Sequence, residues 1–257
     1  MGSALLKGWI AIGAESVLAV EPSPSSELMK LADAHGIALV ADIQSALGVP
    51  VDGCVVALKP QVLKTEAARL RAVAGQGAVM VSIAAGTSIA ALRQAWGPSA
   101  QIVRAMPNTP GSIGRGITAL YAPPTLGPEQ RKTAETLLAG LGETVWVESE
   151  DEIDAVTAVS GSGPAYVFLL TEALAAAGTN LGLPPAIAEK LARATVAGSG
   201  ALLDTDSRPA AALRRDVTSP GGTTEAALKV LMATGGLEDM LKRAVAAARD
   251  RAVELRA

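Results

Sequence analysis

AVMVSIAAGTSIAALRQAWGPSAQIVRAM, residues 78–106, reads as a strand, a helix and a second strand. AVMVSI at 78–83 and QIVRAM at 101–106 are short aliphatic runs, whereas TSIAALRQAWG between them carries apolar residues at helical spacing and closes on a glycine. A connection of that length lets the two runs lie parallel in one sheet, with the helix crossing over its face.

The same rhythm extends toward the N-terminus. SVLAV near 16–20, IALVA near 37–41 and CVVAL near 54–58 read as strands, and SSELMKLADAHG and PQVLKTEAARLRAVAG as crossover helices. After GITALYAP and the short run TVWVE the alternation stops near 148–152, and from Asp151 onward the chain reads as almost entirely helical. The expected fold is α/β: a Rossmann-like, dinucleotide-binding domain with a parallel sheet over residues 1–149, then an all-helical domain over 150–257. In GPAYVFLLTEALAAAGTNLG and PPAIAEKLARATVAGSGALL the apolar residues cover much of the helix circumference, which suits burial against a second subunit and predicts a homodimer.

Composition narrows the function classes. The 257 residues are 49% hydrophobic and 18% charged with a net charge of -3, and three Trp, two Tyr and one Phe are the only aromatics. Neither a basic footprint nor stacking platforms for nucleic acid result. The single cysteine, Cys54, lies in an apolar run and reads as a small buried hydrophobe, consistent with a reducing cytoplasm. The N-terminus lacks the pattern of a secretory signal, and glycines and polar residues divide the uncharged run between Arg71 and Arg93, which argues against a membrane span there. No metal cluster is expected, and His35, before Gly36, reads as a helix-terminal surface residue.

A dinucleotide-binding fold begins with a strand, a glycine-rich turn and a helix aimed at the pyrophosphate. MGSALLKGWIAIGA reads as that helix, with Gly2 in the place of the last glycine of G-x-G-x-x-G and Ser3 beside it. With no strand before it, the expectation is a misplaced start codon or a shortened chain, and neighbouring strands left with unpaired backbone groups. An in-frame apolar strand followed by G-x-G upstream of Met1 is what that expectation requires. Glu21, at the end of the second expected strand of such a fold, is placed to bond ribose hydroxyls and leans toward NADH, although Ser23 and Ser25 could bond a 2'-phosphate of NADPH.

Three later loops at the carboxyl ends of strands suit the cofactor: ALKPQ at 57–61 with Lys59 and Pro60, AAGTS at 84–88 with Ala85 and Gly86, and RAMPNTP at 104–110 with Asn108. Downstream, Glu150 could partner a cationic nitrogen, and SGSGP, with Ser160 and Ser162, opens a long apolar helix. DVTSPGGTTEAAL at 216–228 places Ser219, Gly221, Gly222, Thr223 and Thr224 at a helix start, where backbone N–H groups and hydroxyls converge as on a carboxylate.

ALKPQ, RAMPNTP, DAVTAVSGSGPAYVF and DVTSPGGTT occur in the order and spacing of pyrroline-5-carboxylate reductases, and the chain resembles that family over nearly its whole length. The resemblance implies reduction of the cyclic imine 1-pyrroline-5-carboxylate to L-proline by NAD(P)H, and a helical domain that dimerises, often into a ring of dimers. It implies that Ser219, Gly222, Thr223 and Thr224 hold the substrate carboxylate, with Thr224 at the ring nitrogen and Glu150 in the same pocket. Ser23, Lys59, Pro60, Ala85, Gly86 and Asn108 would line the cofactor cleft, with Asp216 near it. The pattern departs at Ser207, where many relatives carry glutamate, and in ADIQSAL, where Asp42 or Gln44 would replace a cofactor-contacting asparagine. A related imino-acid or hydroxy-acid reductase, or a catalytically silent dinucleotide-dependent regulatory protein, remain alternatives that a substrate panel and an NADH titration separate.

Overall fold

The structure, a computed structural model, describes residues 1–256. It divides into two compact units, Met1–Gly161 with the residues from Arg249 onward, and Ser162–Ala248.

The first unit is built on β1 (Leu18–Val20), β2 (Ala38–Val40), β3 (Gly53–Val56), β4 (Val79–Ser82), β5 (Gln101–Met106), β6 (Gly116–Tyr121) and β7 (Gly142–Trp146). Its helices are α1 (Gly2–Ala11), α2 (Ser26–Ala34), α3 (Pro60–Glu66), α4 (Arg71–Gly75), α5 (Ile89–Trp96), α6 (Pro128–Leu138) and α7 (Glu150–Val156), the last followed by a π-helical turn at Thr157–Gly161. Every strand read from residues 16–106 is present. PQVLKTEAARLRAVAG is not one helix, because a 3-10 turn over Ala67–Leu70 separates α3 from α4. The Trp96 indole N–H donates to the Ala67 carbonyl at 3.0 Å at that break.

The strands form two sheets, a parallel pair β1-β2 and a five-stranded sheet in the order β3-β4-β5-β6-β7. The second is not parallel throughout: β6 runs antiparallel to β5, with Ala105 opposite Leu120. Residues 107–115 are too few for a crossover helix, so the chain must fold straight back. The segment holding α6 is long enough, and β7 again lies parallel to β6. Among the described residues β1 pairs only with β2 and β3 only with β4, so each has an open edge.

Alternation along the central strands feeds two cores. Met80 and Ile102 pack with Leu63, Leu92 and Trp96 on one face, while Val79, Val81, Val103 and Ala105 pack with Leu5, Leu120, Leu138 and Leu141 on the other. Trp96 is 2% exposed, and truncating such a side chain to alanine costs about 3–5 kcal/mol. Cys54 lines the first core, where burial pushes its thiol up to about 11.

In the second unit α8 (Gly163–Asn180) and α9 (Pro185–Thr205) pack as a hairpin, Gly178 approaching Ala188, and α10 (Ala210–Asp216) and α11 (Thr223–Leu231) follow. The last helix, α12 (Leu237–Arg256), starts there and ends in the first unit. Within α8 no residue is buried; Phe168 and Leu169 are 62% and 64% exposed. Glu150–Asn180 contains an 18-residue window with a mean hydropathy of 1.3 and is long and apolar enough to cross a membrane by length and composition alone.

Because the thiolate is the reacting form, the raised Cys54 pKa predicts that native protein reacts with a disulfide reagent at pH 8 about a hundredfold more slowly than the unfolded chain. A reagent titration with and without denaturant checks it, and equal rates would contradict the burial.

Candidate active site

Ligands of open α/β sheets bind beyond the carboxyl ends of the strands. In the first unit that edge gathers much of the expected cofactor set. The start of α1 brings Gly2 beside Ala57, where a Cβ on Gly2 would lie 3.6 Å from the Ala57 Cβ. No acidic side chain occupies the first turn of α1, which leaves its N–H groups and positive dipole end for an anion. Lys59 is the N-cap of α3 and Pro60 its first residue. Ala85 is exposed, and Gly86 has φ +69°, a conformation that side chains with a Cβ rarely adopt.

Other expected residues carry local duties as well. The Glu21 carboxylate accepts the Ser23 N–H at 3.1 Å, and Ser25 caps α2 by accepting the Leu28 N–H. The Asn108 amide oxygen accepts the Ile117 N–H at 3.1 Å, closing the turn between β5 and β6. Asp42 is engaged by the Gln44 N–H at 2.8 Å and by Arg69 at 2.6 Å, and these two hold its carboxyl below the usual range. His35 lies exposed at the end of α2.

Sequence reasoning passed over a charged chain beneath this edge. Arg104, in the middle of β5, is 2% exposed. It donates to Glu150 at 3.1 Å and to Asp154 at 3.4 Å, so the cationic nitrogen that Glu150 meets in this unit belongs to the protein. The same Glu150 oxygen accepts the Ile89 N–H at 2.8 Å, adding a carboxylate cap to the start of α5, where Ser88 already takes the Ala91 N–H. Arg256 joins from α12, at 2.6 Å from Asp151 and 3.3 Å from Asp154. The bond to Asp151, with Asp154 and Glu150 adding to it, raises the Arg256 pKa. An arginine inside an otherwise apolar strand was the available signal. The π-helical turn ends on Ser160 and Gly161, the first half of SGSG; the Ser160 hydroxyl is buried without a hydrogen-bond partner, and such turns recur at functional sites.

In the second unit the 216–228 stretch forms a turn and a helix start. Gly221 has φ +70°, its N–H donates to Glu225 at 2.6 Å, and the Gly222 N–H donates to the Ser219 carbonyl at 3.0 Å. Those two N–H groups therefore close the loop and do not face a ligand. Gly222 is the N-cap of α11 and contributes no side-chain cap, so the first-turn N–H groups of Thr223 and Thr224 are the ones an anion can reach, with their hydroxyls beside them. Asp216 ends α10 and pairs with Arg208 at 2.9 Å; Arg208 also grips Asp206, next to Ser207. Both carboxylates raise the Arg208 pKa.

A mostly parallel sheet with an anion-ready helix start at its ligand edge, followed by a helical unit, is the architecture of a two-domain dinucleotide-binding protein. A family model described as pyrroline-5-carboxylate reductase dimerisation matches residues 150–255. The pyrroline-5-carboxylate reductase of Pseudomonas aeruginosa is 38% identical over 99% of this chain and 93% of its own length. Among solved structures, a pyrroline-5-carboxylate reductase from Coxiella burnetii superposes with a TM-score of 0.91 at 36% identity, over 100% of this chain and 95% of that one. The Plasmodium falciparum pyrroline carboxylate reductase, solved with NADP bound, gives 0.82 at 25% identity over 100% and 95%. The chain belongs to the pyrroline-5-carboxylate reductase family.

Removing the guanidinium between two buried or half-buried carboxylates leaves uncompensated charge. Arg104→Met is expected to lower folding stability by about 3–5 kcal/mol, measured by denaturant unfolding against the parent chain. A loss below about 1 kcal/mol, the range of exposed pairs, would refute the assignment.

Proposed function

We infer that this chain catalyses the NAD(P)H-dependent reduction of 1-pyrroline-5-carboxylate to L-proline, the last step of proline biosynthesis. The observation that carries the reading is full-length similarity to reductases of that name, together with a helix start fitted to a carboxylate. The expected test result is loss of nicotinamide absorbance when the chain is given NADH or NADPH and the pyrroline substrate, with no such loss when open-chain keto acids, the oxidised partners of hydroxy acids, replace it.

The residues fit a nicotinamide coenzyme. The unopposed start of α1 with Gly2 and Ser3 suits the pyrophosphate, Glu21 and Ser23 the ribose, and Lys59, Pro60, Ala85, Gly86 and Asn108 the remainder. When bound, the reduced coenzyme supplies a hydride to the imine carbon. The chain's own contribution is orientation and charge. Ser219, Gly221, Gly222, Thr223 and Thr224 hold the substrate carboxylate, the glycines by shaping the turn and the threonines by donating from N–H and hydroxyl. Thr224 also hydrogen-bonds the ring nitrogen. An iminium accepts hydride readily, so no dedicated proton donor is needed; a proton reaches the nitrogen from Thr224 or water.

Glu21 favours NADH, since a carboxylate beside the ribose would repel a 2'-phosphate. The helical domain is taken as 150–257, in keeping with the family model that starts at residue 150. A second copy of the chain is the occupant proposed for the exposed apolar side chains of α8, giving a homodimer and, by family habit, a ring of dimers. A cytoplasmic location suits a chain with one thiol and this metabolic role, and nucleic acid and membrane are not among the proposed partners.

Thr224→Ala is expected to lower kcat/KM for the pyrroline substrate about tenfold to a hundredfold, the worth of a hydrogen bond to a charged group, with coenzyme Kd unchanged. Equal loss of both would contradict its position. The kcat/KM ratio of NADH to NADPH should exceed one in the parent and fall in Glu21→Gln; a strong NADPH preference in the parent would end the argument from Glu21.

A further inference from the structure

The loop from Ala84 to Ser88 joins β4 to α5, and the proposed function gives it to the coenzyme, which is the reading this proposal rests on. Contacts from two other elements hold it. A Cβ on Gly86 would lie 2.6 Å from the Leu255 carbonyl oxygen and 3.1 Å from its carbon, so the last turn of α12 rests directly on the loop. Just past the loop, the Ile89 N–H is taken by Glu150 of α7.

Arg256 ties these elements together. Its guanidinium meets Asp151 at 2.6 Å and Asp154 at 3.3 Å, and Asp154, 2% exposed, also receives Arg104. Exposed ion pairs contribute little, but a pair with one carboxylate out of water resists release. Leu255 is 53% exposed and Val253 43%, and the small Ala252 is the one buried residue of α12, so apolar burial contributes little to the seating of this turn. We propose that Arg256 is a positioning residue for the coenzyme: by clamping the last turn of α12 to α7, it keeps Leu255 against Gly86 and holds the loop in its coenzyme-receiving shape.

Coenzyme binding to the full chain, followed by nicotinamide fluorescence with NADH and then NADPH, tests this in the parent, Arg256→Gln, Arg256→Lys and Arg251→Met. Arg256→Gln should raise the coenzyme Kd about fivefold, with the KM for the pyrroline substrate unchanged. Arg256→Lys should recover most of that loss. Arg251→Met, which gives up only an exposed pair with Glu254, should match the parent. If Arg256→Gln does not fold, Asp151→Asn carries the test: it removes the 2.6 Å arm on a carboxylate that is 83% exposed, and a raised Kd supports the clamp while an unchanged one overturns it. An unchanged Kd in folded Arg256→Gln, with the parent binding normally, overturns the clamp and leaves the reductase reading standing. A parent that binds neither coenzyme removes that reading and the clamp with it.

Discussion

A guanidinium in the middle of a buried strand is tolerable only if its charge is met where it lies. Arg104 is met by Glu150 and Asp154, and the geometry of that encounter orders its neighbours. Glu150 reaches onward to the start of α5, and Asp154 to Arg256, so sheet, crossover helix, α7 and the end of α12 share one set of charges. Apolar packing alone would let these elements slide; a desolvated ion pair penalises displacement steeply because partial separation leaves charge in a low-dielectric setting.

The two units handle charge by opposite means. Beneath the carboxyl edge of the sheet, ionised groups are withdrawn from water and paired with one another. At the 216–228 turn, Glu225 and the Ser219 carbonyl take the glycine N–H groups, and what remains open is the polar start of a helix. The first arrangement fixes a shape, and the second leaves donors uncommitted for a small anion.

Much of this was legible in the residues. Aliphatic runs of five or six residues between helical patterns located the strands from 16 to 106, because burial on two faces demands such runs. The direction of β6 was not legible from periodicity, which is the same for parallel and antiparallel strands; the length of residues 107–115 held the answer. DVTSPGGTTEAAL announced a helix start, yet which N–H groups it leaves open depended on the Glu225 side chain turning back on Gly221. Arg104 escaped notice because its partners lie 46 and 50 residues further along the chain. The motifs spoke for the family, and the ion chain beneath them is a property of the folded state.

The strands β1 and β2, three residues each, pair among the described residues with no other strand. A two-stranded ribbon of that size is marginal on its own in water, and Glu21 stands at its tip. Whatever binds there is linked to the ribbon's folding by mass action. With the coenzyme as the proposed occupant, its supply would set how long this corner of the molecule stays closed to proteases, and the concentration of a metabolite would become a term in the lifetime of the enzyme.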